Sequence, residues 1–172
     1  MGSSGFNRRG FLTGIAAGAA IFASGVQAKA PYDPCGRDNV MITGGFGTAM
    51  FRVDVVADEQ SRARGLMHVP KMPMSYGMLF YYPEPQLMSF WMRNTLIELD
   101  MLFIDAAGVI RHIHERAKPL DETPISGGDD LLSGVLEING GLARRIGIKA
   151  GDVVYHPHFA TTIDTAHCDV EK

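Results

Sequence analysis

The densest group of chemically capable side chains is the segment Trp91-Met92-Arg93-Asn94-Thr95. Trp and Met offer a large and adaptable apolar surface. Arg93 offers a planar fork that suits carboxylate or phosphate groups, and Asn94 can both donate and accept hydrogen bonds. Because ligand pockets combine an apolar lining with a few convergent polar groups, the segment predicts a binding site. The competing interpretation is that Trp91 belongs to the core, Asn94 caps a turn and Arg93 pairs with a carboxylate.

Acidic side chains on two predicted strands are candidates to join this segment. Glu98 and Asp100 are two residues apart, so they share a face if the chain is extended. Glu137 lies within an apolar run, and a buried carboxyl needs a partner, for which Arg93 is a natural choice. A hydrolase that uses Asp100 and Glu137 as acid and base is one alternative function. We expect the ligand-binding set to comprise Trp91, Arg93, Asn94, Thr95, Asp100 and Glu137.

Methionine and histidine are crowded between residues 67 and 78. Thioether and imidazole groups suit Cu(I), and copper handling is a second alternative function. The spacing lacks the specificity of a paired Cys-x-x-Cys site, and the sequence identifies no cofactor. The candidate metal ligands are Met67, His68, Met72 and Met74.

The N-terminal residues 1–28 have the features of an export signal. Arg8 and Arg9 precede Phe11-Leu12 and a weakly apolar stretch, which ends in the small-x-small pattern Val26-Gln27-Ala28. This order resembles a twin-arginine signal peptide. It predicts cleavage after Ala28, the twin-arginine translocon as a partner, and a periplasmic location.

The remaining 144 residues carry 14 basic and 19 acidic side chains, because the leader contributes two arginines and no acid. Net negative charge without a basic stripe excludes nucleic acid and anionic membranes as expected partners. No other apolar run is long enough to span a bilayer. Since an exported chain with an even cysteine count favours a disulfide, we expect Cys35 and Cys168 to be joined.

Short extended segments dominate the rest of the chain. Alternation at 51–56 predicts a strand, Asp58 can cap a helix that continues to Met67, and further strands are expected at 77–82, 88–92, 96–104, 109–115, 134–138 and 152–156. Helical turns are expected at 141–146 and a long polar loop at 118–133. The pattern predicts an α+β, β-rich fold: a single compact domain at 49–172, built as a small barrel or strongly bent antiparallel sheet with one main helix and a short second one. Residues 29–48, rich in Gly and Pro, are expected to be an irregular lead-in.

Four segments together resemble a known family. They are Arg62-Ala63-Arg64-Gly65-Leu66-Met67, Gly77-Met78-Leu79-Phe80, Phe90 to Thr95 followed by Leu99-Asp100, and Val135-Leu136-Glu137 followed by Gly151-Asp152. This order is similar to the bacterial and archaeal family called domain of unknown function 192, although Glu98 stands where that family usually has proline. The resemblance implies a compact, mostly β domain with one prominent helix and assigns no activity. The leading hypothesis is therefore a non-enzymatic module that binds a small ligand or a partner around Trp91–Thr95.

Changing Arg8 and Arg9 together to Lys should stop export. The double variant keeps the positive charge. The export receptor recognises the two arginine side chains specifically, so positive charge alone is not sufficient. Fractionation of cells that express the full chain measures the effect. Normal periplasmic accumulation of the double variant would rule out this route.

Overall fold

The computed structural model of the chain describes residues 36–160. Residues 1–28, Cys35 and Cys168 lie outside the described residues, so the leader and the disulfide stay predictions. Within residues 36–160 no helix is long and apolar enough to cross a bilayer.

Nine strands and two short helices make up the described part of the chain, and the β-rich α+β prediction is confirmed. The strands are β1 Asn39–Gly44, β2 Gly47–Val56, β3 Tyr76–Gln86, β4 Ser89–Phe90, β5 Leu99–Ile104, β6 Ile110–Ala117, β7 Ile125–Ser126, β8 Leu132–Asn139 and β9 Val153–Tyr155. The helices are α1 Glu59–Arg64 and α2 Leu142–Ile146.

Seven of these strands form one strongly curled sheet in the order β6-β5-β8-β3-β2-β1-β9, and β4 and β7 form a separate pair. The curl brings the two edges of the large sheet together, since Val109 bridges Val153. The amide of Ile110 also donates to the carbonyl of Asp152 at 3.0 Å. This contact leaves less open edge for another chain to pair with.

The central strands are covered on both faces. All six residues of β5 and the first seven of β8 are buried. Leu102, Leu136 and Ile138 belong to the core cluster on one face, whereas Met101, Phe103 and Val135 belong to the core cluster on the other. We call these the first and the second core cluster. Continuous apolar runs, not alternation, are the expected pattern for such strands.

The pairing of β2 with β3 is parallel, unlike every other pairing among the described strands. Parallel neighbours need a crossover connection, and α1 with the following loop supplies it. Asp58 caps α1 by accepting from the amide of Ser61 at 2.8 Å. Leu66, directly after the helix, joins the second core cluster. The crossover therefore places α1 on the same face of the sheet as Met101 and Val135.

The polar loop expected at 118–133 contains β7 and the first residues of β8. Three further boundaries differ from the sequence analysis for a clear physical reason. Residues 29–48 are not irregular throughout, because Asn39–Gly44 form β1. The helix ends at Arg64 and not at Met67, because Gly65 takes a positive φ of 47° and its amide returns to the carbonyl of Ser61. Strand β3 passes through Pro83 and Pro85 to Gln86. Its ladder to β2 has already ended at Phe80, and its register to β8 breaks between Tyr81 and Gln86, so the missing proline amides are tolerated.

Asp100 links separate elements of the fold, because every hydrogen bond of its carboxylate is made to a backbone amide. Its side chain is fully buried. One carboxylate oxygen accepts from the amides of Arg116 and Gly141, and the other accepts from the amide of Ala143, each at 2.8 Å. Helix α2 has no side-chain cap from its own N-cap residue, Gly141. The carboxylate of Asp100 therefore accepts the hydrogen bonds of free amides at the start of α2. It also holds the end of β6 through the amide of Arg116.

Replacing Asp100 with Ala should lower the free energy of unfolding by about 3–5 kcal/mol. The change leaves the buried amide of Ala143 and the part-buried amides of Arg116 and Gly141 without their acceptor, and each unsatisfied buried group costs about 1–3 kcal/mol. Asp100→Asn should also destabilise the fold, since its amide group offers only one acceptor atom. Urea unfolding of both variants measures the loss.

The matched control is Glu98→Gln. Glu98 forms a half-exposed ion pair with Arg116 at 3.0 Å, and such pairs contribute about 0–1 kcal/mol. Equal losses in the Asp100 and Glu98 variants would contradict the role given to Asp100.

Candidate functional site

A narrow cavity of about 40 Å³ lies between the C-terminal turn of α1 and the segment from Phe90 to Thr95. This volume is enough for a few water-sized groups. We call it the Glu137 pocket, because the carboxyl of Glu137 lines it. Its other polar lining comes from Arg62, Arg64, Arg93 and Thr95, and its apolar lining includes Met67, Phe80, Phe90 and Trp91.

Glu137 is 4% exposed and lies between two methionines. In the sheet it stands opposite Met78 on β3 and Met101 on β5. Its carboxyl forms no hydrogen bond or ion pair with any residue in the range 36–160. Burial raises the pKa of Glu137 to about 8, because desolvation disfavours the charged form. At neutral pH the group is therefore mostly a neutral carboxylic acid that can donate a hydrogen bond.

Three arginine residues line the same pocket as this acid: Arg62, Arg64 and Arg93. The guanidinium of Arg62 donates to the carbonyls of Ala57 and Tyr81 and lies 4.5 Å from the ring centre of Tyr82. Those partners are uncharged, so the positive charge of Arg62 is not neutralised. Arg64 and Arg93 are exposed, and neither forms an ion pair with a described residue.

A larger open groove of about 700 Å³ adjoins the Glu137 pocket. Arg62, Phe90 and Trp91 line both, and Tyr82 adds a further aromatic ring to the groove. Trp91 is 52% exposed, so it is not the core residue of the competing interpretation. We call this space the aromatic groove. Its exposed ring faces suit the apolar side of a small molecule.

Backbone hydrogen bonds hold the segment that carries Trp91 and Arg93. The amide of Met92 donates to the carbonyl of Asp121 at 2.8 Å, and the carbonyl of Asn94 accepts from the amide of His68 at 2.9 Å. Asn94 and His68 both have positive φ values, 54° and 63°. Backbone in this region is uncommon for residues other than glycine and is frequent at ligand sites.

The structure brings together four of the six predicted site residues and separates the other two. Trp91, Arg93, Thr95 and Glu137 line one pocket. Asn94 does not line it; its amide nitrogen donates to the sulfur of Met67 at 3.8 Å. Thr95 is buried, and its hydroxyl donates to the carbonyl of Arg93 at 3.3 Å.

Asp100 and Glu137 point to opposite faces of the sheet. Asp100 is opposite Ile138, whose side chain is in the first core cluster, while Glu137 is opposite Met101 in the second. Adjacent positions on a strand alternate between faces. The two carboxyls therefore do not form the acid–base pair of the predicted hydrolase, and Asp100 does not pair with Arg93.

The predicted metal ligands lie on the loop that follows α1, and their surroundings differ. Met67 is half-buried beside Asn94, and Met72 packs against the second core cluster. His68 and Met74 are exposed. Among residues 36–160, no group of three or more His, Cys, Asp or Glu side chains is arranged to hold a metal ion.

A separate depression of about 510 Å³ lies beside His158. The charged side chains that line it, Arg37, Asp38, Arg52 and Asp54, are all exposed. Nearby His156 is buried and bonded through Nε2 to the carbonyl of Arg37 at 2.9 Å, and burial lowers its pKa. This depression lacks a buried polar group without a partner, so the Glu137 pocket is the stronger candidate.

Sequence reasoning missed Arg62, Arg64 and Tyr82 as site residues. Arg62 and Arg64 belong to a segment that the family resemblance singled out, so a signal existed, but it named no role. Their position over Glu137 follows from the parallel crossover between β2 and β3, which local periodicity does not reveal.

The comparisons with known proteins agree with this fold. Residues 41–156 match the model of the DUF192 family, described as an uncharacterized ACR family. The chain belongs to the DUF192 family. The earlier resemblance is thus confirmed for the domain, and the comparisons do not bear on the leader. No protein among the curated sequences is similar enough to count as a relative.

Two solved structures are similar to this DUF192 chain. One is a protein of unknown function from Novosphingobium aromaticivorans, 41% identical, with a TM-score of 0.66, over 68% of this chain and 83% of that chain. The other, from Sinorhizobium meliloti, is named as a candidate transcription regulator; it is 37% identical, with a TM-score of 0.66, over 68% of this chain and 91% of that chain.

Replacing Glu137 with Gln should remove a pH dependence from the stability of the fold. In the unfolded chain Glu137 loses its proton near pH 4.5, whereas in the folded chain it keeps the proton until about pH 8. The unfolded state therefore binds fewer protons between these values, and stability falls as pH rises through that window. From pH 5 to pH 8 the wild type should lose about 3–4 kcal/mol relative to Glu137→Gln.

Urea unfolding of both proteins at several pH values measures this difference. Thr95→Val is a suitable control, because it alters the same pocket without a titrating group. Parallel pH profiles for wild type and Glu137→Gln would show that Glu137 is ionised in the folded protein at neutral pH.

Proposed function

We propose that the protein is a small-ligand binding module and that its ligand lies in the aromatic groove with one group inserted into the Glu137 pocket. The observation that carries the proposal is the buried carboxyl of Glu137, which has no partner among the described residues and lines a cavity. The oxygens of Glu137 are not among the fully buried polar atoms without a partner in the described residues, so the carboxyl is reached through that cavity. A ligand atom that accepts from Glu137 would supply the missing partner.

The energetics of Glu137 support a role in binding over a role in folding. A carboxyl between Met78 and Met101 destabilises the fold at neutral pH, as its raised pKa indicates. Binding sites commonly keep groups that are unfavourable for stability but needed for a ligand. Asp100 shows the opposite case, since all its bonds serve the fold.

The pocket is also placed where a ligand can reach it. Trp91 lies at the junction of the Glu137 pocket and the aromatic groove, and about half of its surface is exposed. A ligand that packs against this ring would bury apolar area and leave its polar end near Thr95 and Glu137.

We propose that this module acts in the periplasm after export by the twin-arginine route. The support is Arg8-Arg9 followed by Phe11-Leu12 and a cleavage pattern at Ala28. That route carries folded proteins, so the domain would leave the cytoplasm with its pocket already formed. We propose further that Cys35 and Cys168 form a disulfide there.

Ligand-induced thermal stabilisation of residues 29–172 tests the binding proposal. The probes are four classes of small molecule: neutral sugars, amino acids, carboxylic acids and phosphate monoesters. At least one class should raise the melting temperature of the wild type by several degrees, because ligand binding stabilises the folded state by mass action. Glu137→Met should abolish that rise while raising the melting temperature of the free protein, since Met fits between Met78 and Met101.

The control is Leu120→Ala, an exposed residue that lines neither the pocket nor the groove. It should respond to the probes like the wild type. Absence of any stabilising class, or an unchanged response in Glu137→Met, would contradict the proposed function.

A further inference from the structure

We propose that the ligand of this site is an organic anion whose carboxylate or phosphate group is bound by Arg64 and Arg93, while its uncharged part packs against Trp91. This inference rests on the proposed function and names the chemical class of its ligand. It is drawn from the distribution of charge around the pocket. A pocket alone would be compatible with neutral, cationic or anionic ligands.

The first step is the absence of negative charge at the pocket. Arg62, Arg64 and Arg93 all line it, and its carboxyl lining residue, Glu137, is mostly uncharged at neutral pH. The exposed Glu59 lines the adjoining groove but not the pocket, so positive charge is in excess over the two together. The chain as a whole has a formal net charge of −3. A local excess of positive charge on a net negative protein attracts anions to one place.

The second step separates the roles of the three arginines. Arg62 uses its guanidinium on the carbonyls of Ala57 and Tyr81 and on the ring of Tyr82. These contacts hold the Arg62 guanidinium in place, so Arg62 contributes mainly its positive charge to the pocket. Arg64 and Arg93 have no such partners among the described residues, so their N–H groups are available to a ligand.

The third step is geometric. Arg64 ends α1, and Arg93 lies on the segment across the pocket from it, yet both line the same cavity of about 40 Å³. Two arginines that line one cavity without a bonded partner among the described residues can together offer N–H donors to the several acceptor oxygens of a carboxylate or phosphate. The adjoining groove, lined by Tyr82, Phe90 and Trp91, would hold the rest of the molecule.

The neutral form of Glu137 fits the same ligand class. An ionised carboxylate at this depth would repel an anion, whereas a protonated one can donate to it or to a neighbouring hydroxyl or carbonyl oxygen. The pocket thus presents N–H donors at its rim and an O–H donor at its wall, which selects acceptor-rich ligands.

Fluorescence quenching tests the anion-attracting field before any ligand is known. Trp91 is the single tryptophan of the chain, so its emission reports on this site alone. With each quenching constant divided by that of a free tryptophan derivative, iodide should quench Trp91 more strongly than caesium, despite the net negative charge of the protein. In Arg64→Gln/Arg93→Gln the iodide quenching constant should fall by about twofold or more, while quenching by neutral acrylamide stays the same.

Arg145→Gln is the matched control, because Arg145 is an exposed arginine on α2 that lines neither the pocket nor the groove. Iodide should quench the Trp91 emission of this variant as strongly as that of the wild type. Equal normalised quenching by iodide and caesium in the wild type, or an unchanged iodide constant in the double variant, would overturn the inference.

Binding of charge-matched probes to the folded protein completes the test. Phenylacetate should bind at least tenfold more tightly than phenylacetamide, which has the same shape without the charge. The preference should fall below threefold in Arg64→Gln/Arg93→Gln and should weaken with added salt. Phenyl phosphate in the same titration shows whether the arginines favour a phosphate or a carboxylate.

The outcomes separate this inference from the proposed function. If phenylacetamide binds as tightly as phenylacetate and still responds to Glu137→Met, the pocket binds ligands but does not select anions. If neither anionic probe changes the emission of Trp91 at millimolar concentration, the anion inference is wrong, and the four-class panel decides the proposed function independently.

Discussion

Three backbone amides converge on the carboxylate of Asp100, and several separate elements depend on that contact. The amide of Arg116 belongs to the end of β6, and those of Gly141 and Ala143 belong to the start of α2. Asp100 itself lies on β5, a strand that is buried from end to end. A buried carboxylate that accepts charge-assisted bonds from backbone groups is stable in the interior, because its charge and the donors satisfy each other. One side chain therefore links an edge strand, a central strand and a helix that has no cap of its own.

The second constraint is the parallel pairing of β2 with β3. In an otherwise antiparallel sheet, this pairing forces the chain to cross over one face, and α1 and its loop are the crossover. The same face carries Met78, Met101 and Glu137. The crossover covers these side chains well enough to bury them and leaves a cavity between α1 and Trp91. The candidate site therefore depends on the topology of the sheet. Arg62 and Arg64 line the pocket of Glu137 because the connection from β2 to β3 crosses the face on which Glu137 lies.

The two buried carboxyl groups of this region show how environment decides role. Asp100 is bonded to three amides and serves the fold, while Glu137 has apolar neighbours and no bonded partner in the described residues. Desolvation alone raises the pKa of Glu137 to about 8, so at neutral pH the group adds little negative charge to the arginine-lined pocket. The destabilisation that this carboxyl causes at neutral pH is localised at the pocket, which is where a ligand could offset it.

Local patterns in the sequence determined much of the fold. Alternation at Phe51–Val56, the capping Asp58 and the apolar runs at 96–104 and 134–138 each predicted an element that the structure contains. These features depend on neighbours within a few residues, and such information is present in the chain itself. Residue type also marked Trp91, Arg93 and Glu137 as candidate site residues, because an aromatic residue and an arginine close together and an isolated acid in an apolar strand are unusual.

Only the tertiary structure decided which of those residues work together. Sheet register placed Asp100 and Glu137 on opposite faces, so one became a structural tie and the other a pocket group. The crossover brought Arg62 and Arg64 from a helix 70 or more residues away in the chain to the pocket of Glu137. Strand β1 was not predicted, because the Gly and Pro residues around it indicated an irregular segment. The strand is stabilised by its pairing with β2 and β9. The physical reason is the same in each case: pairing between distant strands sets which face a side chain occupies, and a local pattern carries no information about its distant partner.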